Sequence, residues 1–246
     1  MNLPAFTEYA PATLLRARPA GEAQAIIEVE PPPAFLPAYE RAGQFCKIRV
    51  RSAAFTTDVA AECEGIFAML SSPGEVPVRF LVRIGNPEGG EAADCLSCLP
   101  DGTPIAMTLP AGEGFALERA RGRDVVFVAT GTGVAPVRAA IEVVLAERER
   151  YGALRLDHGV RSLAHLAIAE DIERWRTRGV RVGVHVSSPE AGGAPRGATV
   201  QSALRARGGS LAGVAMVAVG QPEMLDELLA EFVRLGGAPE LFLKNV

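Results

Sequence analysis

Val125-Val126-Phe127-Val128-Ala129-Thr130-Gly131-Thr132-Gly133-Val134-Ala135-Pro136 is the stretch on which the reading of this chain turns. A run of β-branched and small apolar residues spells a buried strand. It ends in Thr-Gly-Thr-Gly, and a helical pattern begins at once. A strand that turns straight into a helix leaves backbone N–H groups unpaired at the helix N-terminus, where the positive end of the helix dipole also lies. Both features suit a phosphate. Glycine at 131 and 133 removes the side chains that would keep a pyrophosphate off the backbone. Pro136 falls in the first helical turn, where no N–H is required. The stretch predicts a nucleotide-binding turn.

Downstream of it, strands and helices alternate. Strands are expected over 124–129, 153–158, 180–186, 214–219 and 240–243, and helices over 135–151, 163–178, 199–207 and 223–235. This rhythm predicts a five-stranded parallel α/β sheet, Rossmann-like, covered on both faces. In such sheets ligands sit outside the carboxyl ends of the strands. That rule gathers the loops 130–136, 159–162, 187–192 and 220–223 around one ligand. Upstream, short strand candidates at 25–30, 44–50, 67–70, 78–84 and 104–109 are separated by Pro31-Pro32-Pro33, Pro73-Gly74 and Gly89-Gly90. Short strands punctuated by turns predict a small antiparallel barrel or sandwich. The architecture changes near Ala120, dividing the chain into residues 1–119 and 120–246. No flexible linker marks the change, so the two units are expected to pack closely around a cleft.

Composition narrows the function. The 246 residues carry a net charge of -4, which argues against a nucleic-acid partner held through phosphates. No apolar run approaches the ~20 residues that span a bilayer, and no signal-peptide pattern opens the chain; a cytoplasmic protein is expected. Four cysteines (Cys46, Cys63, Cys95 and Cys98) are too few for a disulfide scaffold in a chain of this size. Cys95-Leu96-Ser97-Cys98 has redox spacing but does not open a helix after a strand, and is read as structural thiols. His158, His165 and His185 form no metal-ligand pattern in sequence and are read as packing or surface residues, His158 close to the cleft. Trp175 beside Ile172 is expected in the core, and the charged run 147–150 on a solvated helix end.

With these residues in hand, the chain resembles the ferredoxin–NADP reductase superfamily over nearly its whole length. Gly43-Gln44-Phe45-Cys46-Lys47-Ile48, Leu99-Pro100-Asp101-Gly102-Thr103-Pro104-Ile105 and Ala111-Gly112-Glu113-Gly114-Phe115 resemble motifs of that family's barrel. Residues 130–136 resemble its nicotinamide-nucleotide loop. His158-Gly159-Val160-Arg161-Ser162 and Val219-Gly220-Gln221-Pro222-Glu223-Met224 resemble two further segments at the sheet edge. The resemblance implies an N-terminal Greek-key antiparallel β-barrel binding FAD, with FMN the less favoured flavin, and a C-terminal domain binding NADH or NADPH. It implies flavin contacts at Phe67, Ala68, Met69, Ser71, Ser72 and Gly90. It implies dinucleotide contacts at Gly131, Thr132, Gly133, Val134, Ala135, Pro136, Gly159, Arg161, Ser187, Gly220, Gln221, Pro222 and Glu223. Hydride passes directly between the two rings in that family, so no catalytic side chain is assigned.

The chain departs from the family in three places. The flavin motif Arg-x-Tyr-Ser-x-x-Ser aligns with Gly65-Ile66-Phe67-Ala68-Met69-Leu70-Ser71. Glycine at 65 removes a charge-assisted phosphate contact of about 1.5–3 kcal/mol; Arg79 and Arg83 are the nearby cations able to replace it. Val219 stands where much of the family has cysteine beside the nicotinamide. The chain ends Leu243-Lys244-Asn245-Val246, without the terminal aromatic of plant-type members. Around the adenosine ribose, Arg161, Ser187 and Ser188 suit a 2′-phosphate and Glu190 repels it, which leans the reading toward NADH. The function expected is a flavin-dependent NAD(P)H oxidoreductase passing electrons to a ferredoxin-like or other acceptor. Two alternatives stand beside it: an electron-transfer subunit of a larger redox complex, and a flavin-less nucleotide-binding regulatory module.

Overall fold

A computed structural model describes residues 6–51, 62–85, 91–188 and 199–245. The N-terminal part is a six-stranded antiparallel sheet made of β1 (Ala10–Pro19), β2 (Gln24–Glu30), β3 (Phe45–Arg51), β4 (Glu62–Ala68), β5 (Val78–Arg83) and β6 (Thr103–Met107). Its order is β4-β3-β6-β1-β2-β5, and a bridge from Met69 to Phe80 draws the two edge strands together into a nearly closed barrel. Leu14, Ile27, Ile48, Phe80 and Met107, all fully buried, fill its interior. Two helices accompany the barrel: the short α1 (Phe35–Ala38), and α2 (Glu91–Cys98), which lays Ala92, Cys95 and Leu96 on the barrel core.

The C-terminal part is a five-stranded parallel sheet of β7 (Val125–Thr130), β8 (Leu154–Val160), β9 (Val180–Val186), β10 (Ala215–Val219) and β11 (Phe242–Leu243), in the order β11-β10-β7-β8-β9. Central β7 is buried on both faces from Val125 to Ala129, as a continuous apolar strand requires. Helices α3 (Val134–Ala146), α4 (Ala169–Thr177), α5 (Val200–Arg207) and α6 (Pro222–Arg234) connect the strands. Trp175 is fully buried, and its indole N–H donates to Glu142 Oε1 at 2.8 Å. The expected fold class, antiparallel barrel plus parallel α/β sheet, is the one observed.

Several expected elements differ. β1 was not expected: a bulge between Leu14 and Arg16 breaks its alternation, and Arg16 and Arg18 face outward to Glu28. α2 was not expected either, because its buried face is made of small residues. β4 begins at Glu62, earlier than the expected 67–70, since Glu62 and Glu64 alternate outward around buried Cys63. The long helices at 135–151 and 163–178 are each divided: a 3-10 turn at Arg148–Arg150 follows α3, and one at Leu163–His165 precedes α4.

Barrel and sheet are packed into one another. Ala20, Ile26, Ala42, Leu70, Leu81, Phe115 and Leu117 of the N-terminal part belong to the same apolar cluster as Ala135 and Ala139 of α3. Polar contacts fix the register of the two parts. Glu22 N–H donates to Ala164 O at 2.7 Å, Gln24 Nε2 to His165 O at 3.3 Å, and Asn245 Nδ2 to Gly43 O at 3.3 Å. The strongest tie is Arg138 on α3, 4% exposed. It donates to Leu70 O at 3.1 Å, to Glu75 Oε2 at 2.7 Å and to Asp171 Oδ2 at 3.4 Å. Burial raises the Glu75 carboxyl pKa, but bonds from Arg138 and the Ser72 N–H, with the nearby charges of Arg138 and Arg79, overcome it and hold it at about 2.

Candidate functional site

The turn after β7 is a single 3-10 turn, Gly131–Gly133, running into α3. Gly131 has φ +52, a left-handed conformation that costs a non-glycine residue about 1–2 kcal/mol. Gly133 is needed for a different reason: a Cβ there would stand 3.1 Å from Val219 Cγ1 and 3.2 Å from Val219 O. The turn after β7 and the end of β10 thus touch backbone to side chain. Below the turn, His158 of β8 is 1% exposed and its Nε2 lies 3.2 Å from Gly131 O. A carbonyl needs a donor, so the imidazole carries its proton on Nε2. Burial pushes its pKa down, the Gly131 bond only partly opposes this, and His185 lowers it further, to about 4.

The turn borders three connected spaces. A cleft of about 660 Å³ runs between the barrel hairpin Glu22–Gln24 with Arg83 on one side and Thr130–Gly133, Arg161, Val219 and Gln221 on the other. An inner recess of about 290 Å³ lies between Ile66, Phe67 and Ala68 of β4 and Thr132, Gly133, Ala135, Pro136 and Val219, with Asn245 at its side. An edge pocket of about 250 Å³ continues along the sheet past Gly159, Arg161, His185, Ser187, Gln221 and Met224. Arg83, Thr132, Gly133 and Val219 border both the cleft and the recess.

Most of the expected dinucleotide residues therefore converge. Gly131, Thr132, Gly133, Ala135, Pro136, Gly159, Arg161, Ser187, Gly220 and Gln221 all line this connected space. Val134 is fully buried as the first residue of α3, and Pro222 and Glu223 lie exposed in the first turn of α6 beyond Gln221. On the flavin side the outcome divides. Phe67 and Ala68 line the recess. Met69 turns into the barrel core, fully buried. Ser71 is turned inward as well: its hydroxyl donates to Pro77 O and accepts from the Arg79 N–H, and its carbonyl accepts from Tyr39. Ser72 does not line the recess: it is bonded to Glu75 and lines a separate hollow with Arg79 and Arg138. Gly90 and Glu190 lie outside the described residues. Of the two nearby cations, Arg79 is paired with Glu75, while Arg83 is exposed at the mouth of the recess.

Two groups at the site were not foreseen from the sequence. Asn245 lines the recess because the C-terminal segment returns to the barrel at Gly43. Asp157 lies buried beneath the edge pocket, accepting from Arg155 at 2.7 Å, paired with His185 at 2.9 Å and with Arg207 at 3.4 Å. Burial raises its pKa, but the bonds from Arg155 and His185 and the charges of Arg155 and Arg207 hold it below the usual carboxylate range. The alternation Arg155-x-Asp157 with His185 on the next strand was a readable sign of a charged cluster on one face of the sheet.

The arrangement is a glycine-lined turn at the carboxyl edge of a parallel sheet, facing Ile66, Phe67 and Ala68 of the barrel, where a nucleotide's pyrophosphate would fit. Residues 127–228 match the family model for the oxidoreductase NAD-binding domain. Several solved structures share the fold over nearly the whole chain. A ferredoxin–NADP+ reductase from Neisseria gonorrhoeae, with bound FAD and NADP, is similar at TM-score 0.77 and 15% identity, over 94% of this chain and 92% of that one. The flavohem-like FAD/NAD-binding domain of nitric oxide dioxygenase from Vibrio cholerae is similar at TM-score 0.75 and 14% identity, over 95% and 96%. The chain is also 22% identical over 129 residues to the gamma subunit of sulfhydrogenase 2 from Pyrococcus furiosus, covering 52% of this chain and 43% of that one. The chain shares the two-domain fold of these reductase structures, and its C-terminal half carries the match to the oxidoreductase NAD-binding domain.

Proposed function

We propose that this chain is an NAD(P)H-dependent flavoprotein oxidoreductase, with residues 1–119 holding a flavin and 120–246 the nicotinamide dinucleotide. The observation that carries this reading is the sharing of walls: Thr132, Gly133 and Val219 border both the dinucleotide cleft and the recess under β4. The recess offers Phe67 and Ala68 on one wall and Val219 and Ala135 on the other, the apolar lining that a planar ring system needs. The FAD carried by the Neisseria reductase supports FAD as the flavin here.

When bound, a flavin exchanges a hydride with nicotinamide, and the protein contributes position and environment. The amides of Gly131–Val134 and the N-terminus of α3 would bind the pyrophosphate. His158 holds Gly131 in place beneath it. Val219 would seat the nicotinamide; it presents no thiol, so the chain works by proximity rather than by a side-chain acid or base. Arg155, Arg207 and His185 converge on Asp157, which leaves Arg161 and Ser187 at the rim to meet the adenosine ribose; the lean toward NADH rests on the acid Glu190 in the sequence. Electrons would leave to an acceptor protein, ferredoxin-like or other. The match to a sulfhydrogenase subunit supports a second reading, in which the chain is the electron-transfer subunit of a larger complex.

Anaerobic mixing of the chain with FAD and either coenzyme tests the proposal. Loss of the flavin's visible absorbance, faster with NADH, is expected. A chain that binds the dinucleotide but leaves the flavin spectrum unchanged refutes it and supports the flavin-less nucleotide-binding module.

A further inference from the structure

The flavin reading above assigns a ring to the recess, and the residues around that recess show which part of a flavin they are built to recognise. β4 presents Cys63, Gly65 and Phe67 on one face, two residues apart. The Phe67 ring does not stand out from the strand. It lies back over Gly65, so that a Cβ at position 65 would be 2.5 Å from Phe67 Cζ and 3.1 Å from Ala92 Cβ of α2. Its edge rests against Phe80, ring centroids 6.3 Å apart at 65°. The space above position 65, where a phosphate-binding cation would rise, is thus filled by an aromatic ring and a helix. That helix is itself acidic at its start: Glu91 and Asp94 occupy its first turn. Asp94 Oδ1 accepts the Gly85 N–H at 2.7 Å, and Glu91 Oε2 lies 3.4 Å from the Cys63 sulfur. These acidic side chains offset the positive end of the helix dipole that would otherwise favour a phosphate there. Among the described residues that line the recess, the cation is Arg83, which is exposed.

We propose that the barrel side of the cleft recognises a flavin by its isoalloxazine ring and not by its phosphates. Riboflavin, FMN and FAD are then alternative ligands of one site, and they exchange with free flavin in solution. Phe67, Ala68 and Val219 make the ring contacts, which the three ligands share. An exposed pair such as Arg83 with phosphate changes affinity by no more than about five-fold. A buried guanidinium on a diphosphate would change it by about ten- to a hundred-fold.

The test is titration of the purified full chain, freed of any flavin, with riboflavin, FMN and FAD in turn, following quenching of flavin fluorescence. Dissociation constants for riboflavin and FAD within about ten-fold of each other support the proposal; FAD tighter by more than that overturns it. Phe67→Ala is expected to weaken riboflavin and FAD by the same factor, and loss of FAD binding alone overturns the proposal. In a second variant, Gly65→Arg with Phe67→Ala, the restored cation is expected to favour FAD over riboflavin by about ten-fold or more. A chain that leaves gel filtration with FAD at one equivalent also overturns it. Failure of all three flavins to bind removes the flavin reading itself, an outcome distinct from FAD being preferred.

Discussion

Replacing His158 with glutamine isolates one titration beneath the nucleotide turn. Glutamine keeps a side-chain N–H for Gly131 O and does not ionise in the accessible range. In the native protein the imidazole is pushed down to about 4, against an unfolded value of 6.5. The unfolded chain therefore binds the proton first, and stability rises with pH between those two values. The neutral ring's contribution is fully present above about pH 6.5 and lost as the pH falls toward about 4. Between pH 7 and pH 5 the two pKa values imply a loss of about 2 kcal/mol from this group, and of about 3 kcal/mol over the whole window. Urea unfolding of both proteins at pH 5, 6 and 7 reads the effect, since every other titrating group is common to the pair. Wild type should lose about 2 kcal/mol more than His158→Gln between pH 7 and pH 5. Parallel stability profiles would refute the reasoning, because they would mean that the imidazole is protonated equally in both states.

Other consequences are quicker to check. Glu75→Gln leaves the guanidinium of Arg138 short of its nearest counter-charge and should cost about 2 kcal/mol in urea unfolding; since the Glu75 carboxyl is held at about 2, its own contribution should persist down to about pH 4.5 and fade below it. Gly131→Ala meets open space but a left-handed backbone, and should cost about 1 kcal/mol, whereas Gly133→Ala presses on Val219 and should weaken dinucleotide binding more than stability, as calorimetry on each variant would show. In the folded chain Cys98, exposed at the end of α2, should react with a thiol reagent well before Cys46, Cys63 and Cys95. Burial pushes the Cys63 thiol up to about 12, and unfolding should release the three slow thiols together.

The two halves of the fold were not equally legible. β7 is buried on both faces, so its apolar run and glycine turn stand out without any knowledge of neighbours. The barrel strands differ in exposure, β1 alternating irregularly while β2 and β5 are mostly buried, and they lean on distant partners. β1 pairs with β2 and with β6, some ninety residues away, and its bulge hides the alternation that would have announced it. The site divides in the same way. The loops at the carboxyl edge follow from strand order alone, which gathers Gly159, Arg161, Ser187 and Gln221 around one space. The direction of Ser71 and Ser72 depends on Tyr39, Pro77 and Arg79, which the local sequence does not reveal. The folding of Phe67 over Gly65 depends on α2, an element whose small buried face gives little periodic signal. Arg138 is the one cation in the apolar α3, a signal of a buried partner that the sequence reading passed over.

The central claim is that two rings meet between the barrel strand β4 and the glycine turn of the parallel sheet. A crystal structure of the chain with riboflavin and a nicotinamide dinucleotide tests it most directly. The account predicts the isoalloxazine between Phe67–Ala68 and Val219, with the dinucleotide's pyrophosphate on the amides of Gly131–Val134. Flavin bound elsewhere, or pyrophosphate away from that turn, would contradict it.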